Sequence, residues 1–252
     1  MEDLKMGETR ADWRGNQLFF RDGSTYETVK PIAPIVFYDD FLGTVLNTDF
    51  WTDLDLNSAT TAAPALSVFD CEIGQVNENA AAGCYGKDDK AFNIGKGLIF
   101  ECRLAVVTAP TLTTEIGFGV MNDSYGADSM RFLLADEVAK YAFFGFYTTV
   151  GAGLIPVIRT DDGTHDSGII SSAITAVALN AYHVYRIDFT SLEDVKFYID
   201  GVGVATSTTF VMHTAASLTV QPWICVYKHD DATTSAAGEF KLDYVKMWQA
   251  TR

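Results

Sequence analysis

The chain has no apolar run near the ~20 residues that a membrane-spanning helix needs, so no helical span is expected. Basic charge is scarce. Eighteen Lys and Arg stand against 33 Asp and Glu, a formal net charge of −15, which opposes a large phosphate-tracking surface and argues against a nucleic-acid partner. Only four cysteines occur (Cys71, Cys84, Cys102 and Cys225), in no Cys-x-x-Cys spacing and with no histidine near enough to complete a zinc site. Cys102 lies in an alternating run that reads as a buried free thiol, and Cys71 with Cys84 is the one disulfide pairing to consider. There is no Gly-x-Ser-x-Gly elbow, phosphate loop or dinucleotide fingerprint, and none of His165, His183, His213 and His229 forms an His-x-x-x-His pair. His165 and His229, each beside aspartates, read as solvated turns. No cofactor or metal is expected. The opening residues Met1, Glu2, Asp3, Leu4 and Lys5 carry neither the basic nor the apolar region of a signal peptide, so synthesis in a cytoplasm without export is expected.

What the chain does have is apolar material, 48% of residues with 13% aromatic, enough for a large core. From about residue 35, short runs rich in Val, Ile, Phe, Tyr and Thr alternate with Gly, Asp, Asn and Ser clusters. That pattern predicts an all-β domain. Strands are predicted at 36–41, 66–73, 98–107, 114–121, 130–134, 142–148, 154–159, 183–189, 195–199, 202–207, 218–227 and 239–248, with 135–141 as loop. A dozen strands suit a two-sheet antiparallel jelly-roll sandwich over 35–252 better than an immunoglobulin-type domain. The clearest hairpin turns at Asp200 and Gly201, and Asp161, Asp162 and Gly163 mark another turn. In the strand at 183–189, His183, Tyr185, Ile187 and Phe189 share one face, opposite Val184, Arg186 and Asp188.

Residues 1–34 read as an extended N-terminal arm. Their net charge is −1 against −14 for the remainder, and Pro31 and Pro34 punctuate the boundary. A small hairpin is expected around Asp22 and Gly23. A lone hairpin is marginal in water, so its aromatic residues need a surface, either the sandwich or another chain. Trp13, Arg14, Leu18, Phe19, Phe20 and Arg21 are the candidate partner-binding residues.

Four segments resemble the concanavalin A-like lectin and glucanase superfamily, including its laminin G-like members. Asp39, Asp40 and Phe41 with Asn47, Thr48, Asp49, Phe50 and Trp51 look like the opening of such domains, where a strand precedes a buried tryptophan. The run from Gly97 to Leu104 looks like their early core strand. Tyr182 to Phe189 followed by Phe197 to Gly201 resembles their most recognisable hairpin, and Lys241 to Trp248 their closing strand. Strict alternation in that last segment puts Leu242, Tyr244, Lys246 and Trp248 on one face and Asp243, Val245 and Met247 on the other, so both faces come out mixed.

The resemblance implies a fold more than an activity. Glucanases of the group carry a Glu-x-Asp-x-Glu or Glu-x-Asp-x-x-Glu strand that presents two carboxylates to the substrate. No glutamate here is followed two residues later by aspartate. Asp70 with Glu72 is the nearest substitute and reads as a solvated sheet face, so no catalytic residue is assigned. Asp53, Asp55 and Asn57 imitate a calcium loop, but Ser58 replaces its glycine and Pro64 its glutamate. Asn122, Asp123, Tyr125 and Asp128 form a candidate ligand-binding loop. A jelly roll with an aromatic arm, no signal and no catalytic set is similar to bacteriophage virion proteins. The expectation is a non-enzymatic capsid decoration protein on the particle exterior, docking coat subunits by its arm and forming a homo-oligomer, with a trimer as the guess. The alternatives are a carbohydrate-binding module of a tail or host-recognition protein that takes a surface glycan, and a glucanase.

Overall fold

The computed structural model describes residues 10–14, 17–21, 35–56, 60–65, 68–73, 80–111, 114–122, 141–147, 154–213, 218–228 and 237–249. Two antiparallel sheets face each other, as the alternation predicts. The seven-stranded sheet contains β4 (Thr52–Leu56), β7 (Ala81–Tyr85), β8 (Phe92–Asn93), β10 (Thr114–Met121), β11 (Tyr141–Tyr147), β12 (Val157–Asp161) and β16 (Thr219–Lys228). Its order is β12-β11-β10-β16-β7-β4, with β8 on the start of β16. The eight-stranded sheet contains β3 (Ile35–Asp39), β5 (Thr60–Ala65), β6 (Val68–Ile73), β9 (Ile99–Thr108), β13 (His183–Asp188), β14 (Lys196–Ile199), β15 (Val202–Val204) and β17 (Gly238–Gln249). Its order is β15-β14-β13-β9-β17-β6-β5, and β3 pairs with the far half of β17. Together they form the expected jelly-roll sandwich.

The core lies between the sheets. Ile116, Phe118 and Val120 of β10 and Phe144 and Phe146 of β11 point inward from one sheet, Tyr185 and Ile187 of β13 from the other. Phe118 packs edge-on against Tyr185 with ring centroids 4.7 Å apart, a contact that ties sheet to sheet. The opening segment behaves as its resemblance implies. Trp51 is buried and its indole Nε1 donates to Asp39 Oδ2 at 2.8 Å, while Asp39 Oδ1 accepts the N–H of Phe41 at 2.8 Å. Phe41 is thereby held at φ 53°, a left-handed conformation that a non-glycine residue rarely adopts.

Departures from the sequence expectation have local causes. Strands β4, β5, β7 and β8 were not anticipated. β7 reads Ala-Ala-Gly-Cys-Tyr, poor in β-formers, yet every residue is buried between β16 and β4. Tertiary packing there overrides propensity. The mixed faces expected of the closing strand are resolved by a bulge: Leu242 pairs with Leu104 and Tyr244 with Arg103, leaving Asp243 as the extra residue. Phe240, Leu242, Val245 and Met247 then all enter the core, and Tyr244, Lys246 and Trp248 face the other way.

The Asp200–Gly201 turn forms as expected. Both residues have positive φ, 51° and 78°, as a two-residue hairpin turn matching strand twist demands. The arm also contains a hairpin, with β1 (Arg10–Arg14) and β2 (Gln17–Arg21) in a separate two-stranded sheet. Its register pairs Arg14 with Gln17, so it closes between those residues and not around Asp22 and Gly23. All four cysteines are buried and free, which removes the Cys71–Cys84 disulfide and leaves Cys102 as read. Burial raises the pKa of the Cys71, Cys84 and Cys102 thiols well above the usual range. No helix among the described residues is long and apolar enough to cross a membrane.

Candidate functional site

The outward face of the seven-stranded sheet has an unusual composition. Gly145, Gly117, Cys225 and Gly83 stand side by side across β11, β10, β16 and β7. On one side of this low row lie Tyr147, Glu115, Tyr227 and Ala81, on the other Phe143, Gly119, Trp223 and Tyr85. The Trp223 indole N–H donates to Cys225 Sγ at 3.1 Å. The face is shielded from solvent within the chain: Glu115, Phe143, Trp223 and Cys225 are all fully buried. Glu115 is the carboxylate on the central strand, and its paired neighbours are Tyr147 and Tyr227.

An accessible site lies on the opposite side of the molecule, on the solvent face of the eight-stranded sheet. A groove of about 420 Å³ is lined by Glu101, Val184, Arg186, Tyr198, Asp200 and Gly201. Strand alternation places these side chains: Tyr185, Ile187, Phe197 and Ile199 fill the core, which turns Arg186 and Tyr198 outward as a directly paired couple. The guanidinium of Arg186 lies over the Tyr198 ring, 5.2 Å from its centroid. Its Nε is buried and has no hydrogen-bond partner among the described residues.

Carboxylates flank this cation. Glu101, opposite Arg186, accepts the Tyr244 hydroxyl at 3.1 Å. Burial first, and then the Glu101 charge, push the Tyr244 hydroxyl pKa up, so it remains a donor. Asp200 is fixed by the hairpin turn; its Oδ1 accepts the N–H of Val184 at 2.9 Å and its Oδ2 sits 2.7 Å from His183 Nδ1. Burial alone would raise the Asp200 pKa, but the His183 and Val184 bonds outweigh it and hold the carboxyl below the usual range. The groove thus combines an aromatic platform, a guanidinium with spare donor capacity and two fixed acceptors.

The residues singled out from sequence are distributed elsewhere. Trp13, Arg14, Leu18, Phe19, Phe20 and Arg21 fall on β1 and β2 by backbone, with Trp13 opposite Leu18 and Arg10 opposite Arg21. Asn122 donates its amide to the carbonyl of Thr219, while Asp123, Tyr125 and Asp128 lie outside the described residues, as do the strand expected at 130–134 and His229. Asp53 and Asp55 stand exposed on a strand either side of buried Leu54, not in a cation-wrapping loop, and Asn57 lies outside the described residues. Asp70 and Glu72 are on the solvent face of β6, as read, with Asp70 3.4 Å from Lys241 Nζ. His165 is exposed and its Nδ1 lies 3.2 Å from the buried Asp162 carboxylate. Among the described residues no group of three or more His, Cys, Asp or Glu is arranged to hold a metal ion. The groove residues escaped sequence reading although the strands carrying them were anticipated. The available signal was Tyr198, an aromatic residue at a solvent-facing position of its strand.

No family model matches the sequence, and no curated protein matches it. Solved structures do match in three dimensions. One comes from work on endo-acting O-glycanases that members of the human gut microbiota express to initiate mucin breakdown; it shares 12% identity at a TM-score of 0.58, covering 84% of this chain and 98% of that one. Another is an endo-β-1,3-glucanase of Pyrococcus furiosus, with 13% identity, a TM-score of 0.54 and coverage of 84% and 93%. A third is an immunostimulatory antigen and pseudo β-1,3-glucanase of Mycobacterium tuberculosis, with 13% identity, a TM-score of 0.54 and coverage of 84% and 98%.

At such identity the likeness establishes the fold, the concanavalin A-like jelly roll. It also corrects the expectation of a non-enzymatic capsid decoration protein. That expectation drew on a jelly roll joined to an aromatic arm, and the jelly roll is the one shared with these glycanase and glucanase structures. Neither the virion role nor the exclusion of enzymatic activity stands.

Proposed function

We propose that this chain is a glycan-recognising domain that holds carbohydrate in the groove of the eight-stranded sheet. The observation that carries the reading is the Arg186 guanidinium, stacked on Tyr198 and flanked by Glu101 and Asp200, with a buried Nε left without a partner among the described residues. A pyranose ring offers an apolar face to an aromatic ring and hydroxyls that both donate and accept. A guanidinium beside two carboxylates complements those hydroxyls, and a sugar oxygen would satisfy the orphaned donor. The shared fold of glucan- and O-glycan-associated structures supports the same class of ligand.

Calorimetry with laminarin and with mucin O-glycans tests it. At least one should bind, and Tyr198→Ala and Arg186→Ala should each weaken binding about tenfold or more, equivalent to about 1.4 kcal/mol, at an unchanged melting temperature. Binding that survives both substitutions would remove the groove from consideration.

A second reading, glycan hydrolysis, is favoured by one feature: the buried Glu115 on the aromatic outward face of the seven-stranded sheet. Two-carboxylate hydrolysis needs a second carboxyl roughly 5–10 Å away, and the residues paired with Glu115 are both tyrosines. Release of reducing ends from laminarin that is lost in Glu115→Gln would establish it.

A further inference from the structure

The groove is one end of a longer track. Tyr198 pairs with Arg186, Arg186 with Glu101, Glu101 with Lys246 and Lys246 with Tyr38, so five side chains form one straight row across β14, β13, β9, β17 and β3. All five point to solvent. Tyr198 closes one end and Tyr38, 55% exposed on β3, closes the other. Tyr244 stands beside the row with its ring 6.0 Å from Tyr38, and Lys246 lies 4.7 Å from the Trp248 ring. At a strand spacing of roughly 4.8 Å the four gaps span about 19 Å, about one hexose ring per gap.

Resting on the glycan-binding reading above, we infer that the site takes a linear, neutral polysaccharide laid across the strands, with about four sugar units between the Tyr198 and Tyr38 platforms. The alternation of Arg186, Glu101 and Lys246 between them supplies donor, acceptor and donor, which suits hydroxyls along a chain. The flanking Asp188 and Asp200, with the net charge of −15, repel anionic glycans, while Asp243 is taken up in an ion pair with Arg103. The row is reached only because the bulge at Asp243 turns Lys246 outward.

Titration with laminari-oligosaccharides from disaccharide to hexasaccharide tests this. Affinity should climb at least tenfold from the disaccharide to the tetra- or pentasaccharide and then level off. Tyr38→Ala should return the pentasaccharide to near-disaccharide affinity without changing the disaccharide, whereas Tyr198→Ala should weaken both. Carboxymethylated laminarin should bind at least tenfold more weakly than laminarin. If affinity is independent of length, or Tyr38→Ala leaves the pentasaccharide unaffected while Tyr198→Ala still weakens it, the row is overturned and the groove alone binds. Equal affinity for the carboxymethylated polymer overturns the preference for neutral glycans. Failure of every oligosaccharide, laminarin and mucin O-glycan to bind overturns both the row and the reading beneath it. Both tyrosines lie outside the core, so melting temperatures within about 2 °C of the parent separate lost binding from lost folding.

Discussion

Asp39→Ala isolates what the opening segment contributes. The carboxylate accepts two hydrogen bonds, one from the buried indole of Trp51 and one from the N–H of Phe41, which it helps hold at positive φ. Bonds to a charged acceptor contribute roughly 1.5–3 kcal/mol each, and removing the acceptor strands a buried donor. Because Asp39 is only half-buried, the lower part of that range applies, and the two bonds together come to about 3 kcal/mol. For a chain of this size about 2–4 °C of melting temperature is lost per kcal/mol. Thermal unfolding followed by circular dichroism should therefore show a fall on the order of 10 °C. Asp40→Ala is the matched control, since its carboxylate makes an exposed 3.3 Å bond to Leu42, and it should move the midpoint by less than about 2 °C. A double-mutant cycle of Asp39→Ala with Trp51→Phe should give a coupling of about 1 kcal/mol or more. Equal effects of the two aspartate substitutions, or no coupling to Trp51, would refute the argument.

Three further outcomes follow from the packing and the charges. Phe118→Ala removes a fully buried ring that touches Tyr185 in the opposing sheet, and chemical denaturation should show a loss of about 3–5 kcal/mol. The four cysteines, buried and free, should resist a thiol reagent such as Ellman's in the native protein and all react in denaturant; rapid native labelling would contradict the packing. Asp166 is held below the usual carboxylate range, chiefly by its bond to Arg159 at 2.9 Å. Its contribution is therefore present above about pH 4 and lost as the pH falls through the depressed value. Asp166→Asn should lower stability at pH 7 and flatten the acid limb of a stability-versus-pH curve.

Features governed by local chemistry were legible in the sequence. The Asp200–Gly201 hairpin was readable because two adjacent positive φ angles select those residue types, and β13 because Tyr185, Ile187 and Phe189 alternate cleanly with polar positions. β7 was not, since Ala-Ala-Gly-Cys-Tyr carries no strand preference and becomes a strand only when β16 and β4 pair with it. The arm hairpin was seen but its turn was misplaced, because Asp22 and Gly23 look like a better turn than the residues between Arg14 and Gln17. The groove was least legible. Arg186 and Glu101 are 85 positions apart, Glu101 and Lys246 farther still, and only strand register brings them side by side. Register is a property of the assembled sheet, which no local spacing encodes.

The extra residue at Asp243 makes β17 a strand written in two frames. Before it, even-numbered positions enter the core; after it, odd-numbered ones do. Deleting that single residue would remove the bulge and let Phe240, Leu242, Val245 and Met247 alternate strictly with Lys241, Tyr244, Lys246 and Trp248, whereas one more inserted residue would turn the distal half inside out, sending Lys246 and Trp248 inward. A chain diverging from this one can exchange many surface side chains at little cost and can shed Asp243 together with its bulge, but it cannot gain a residue here without rewriting the next five. Sequences related to it by descent should therefore keep the positions of Leu242 and Val245 either three apart with the bulge or two apart without it, even where the residues themselves have drifted beyond recognition.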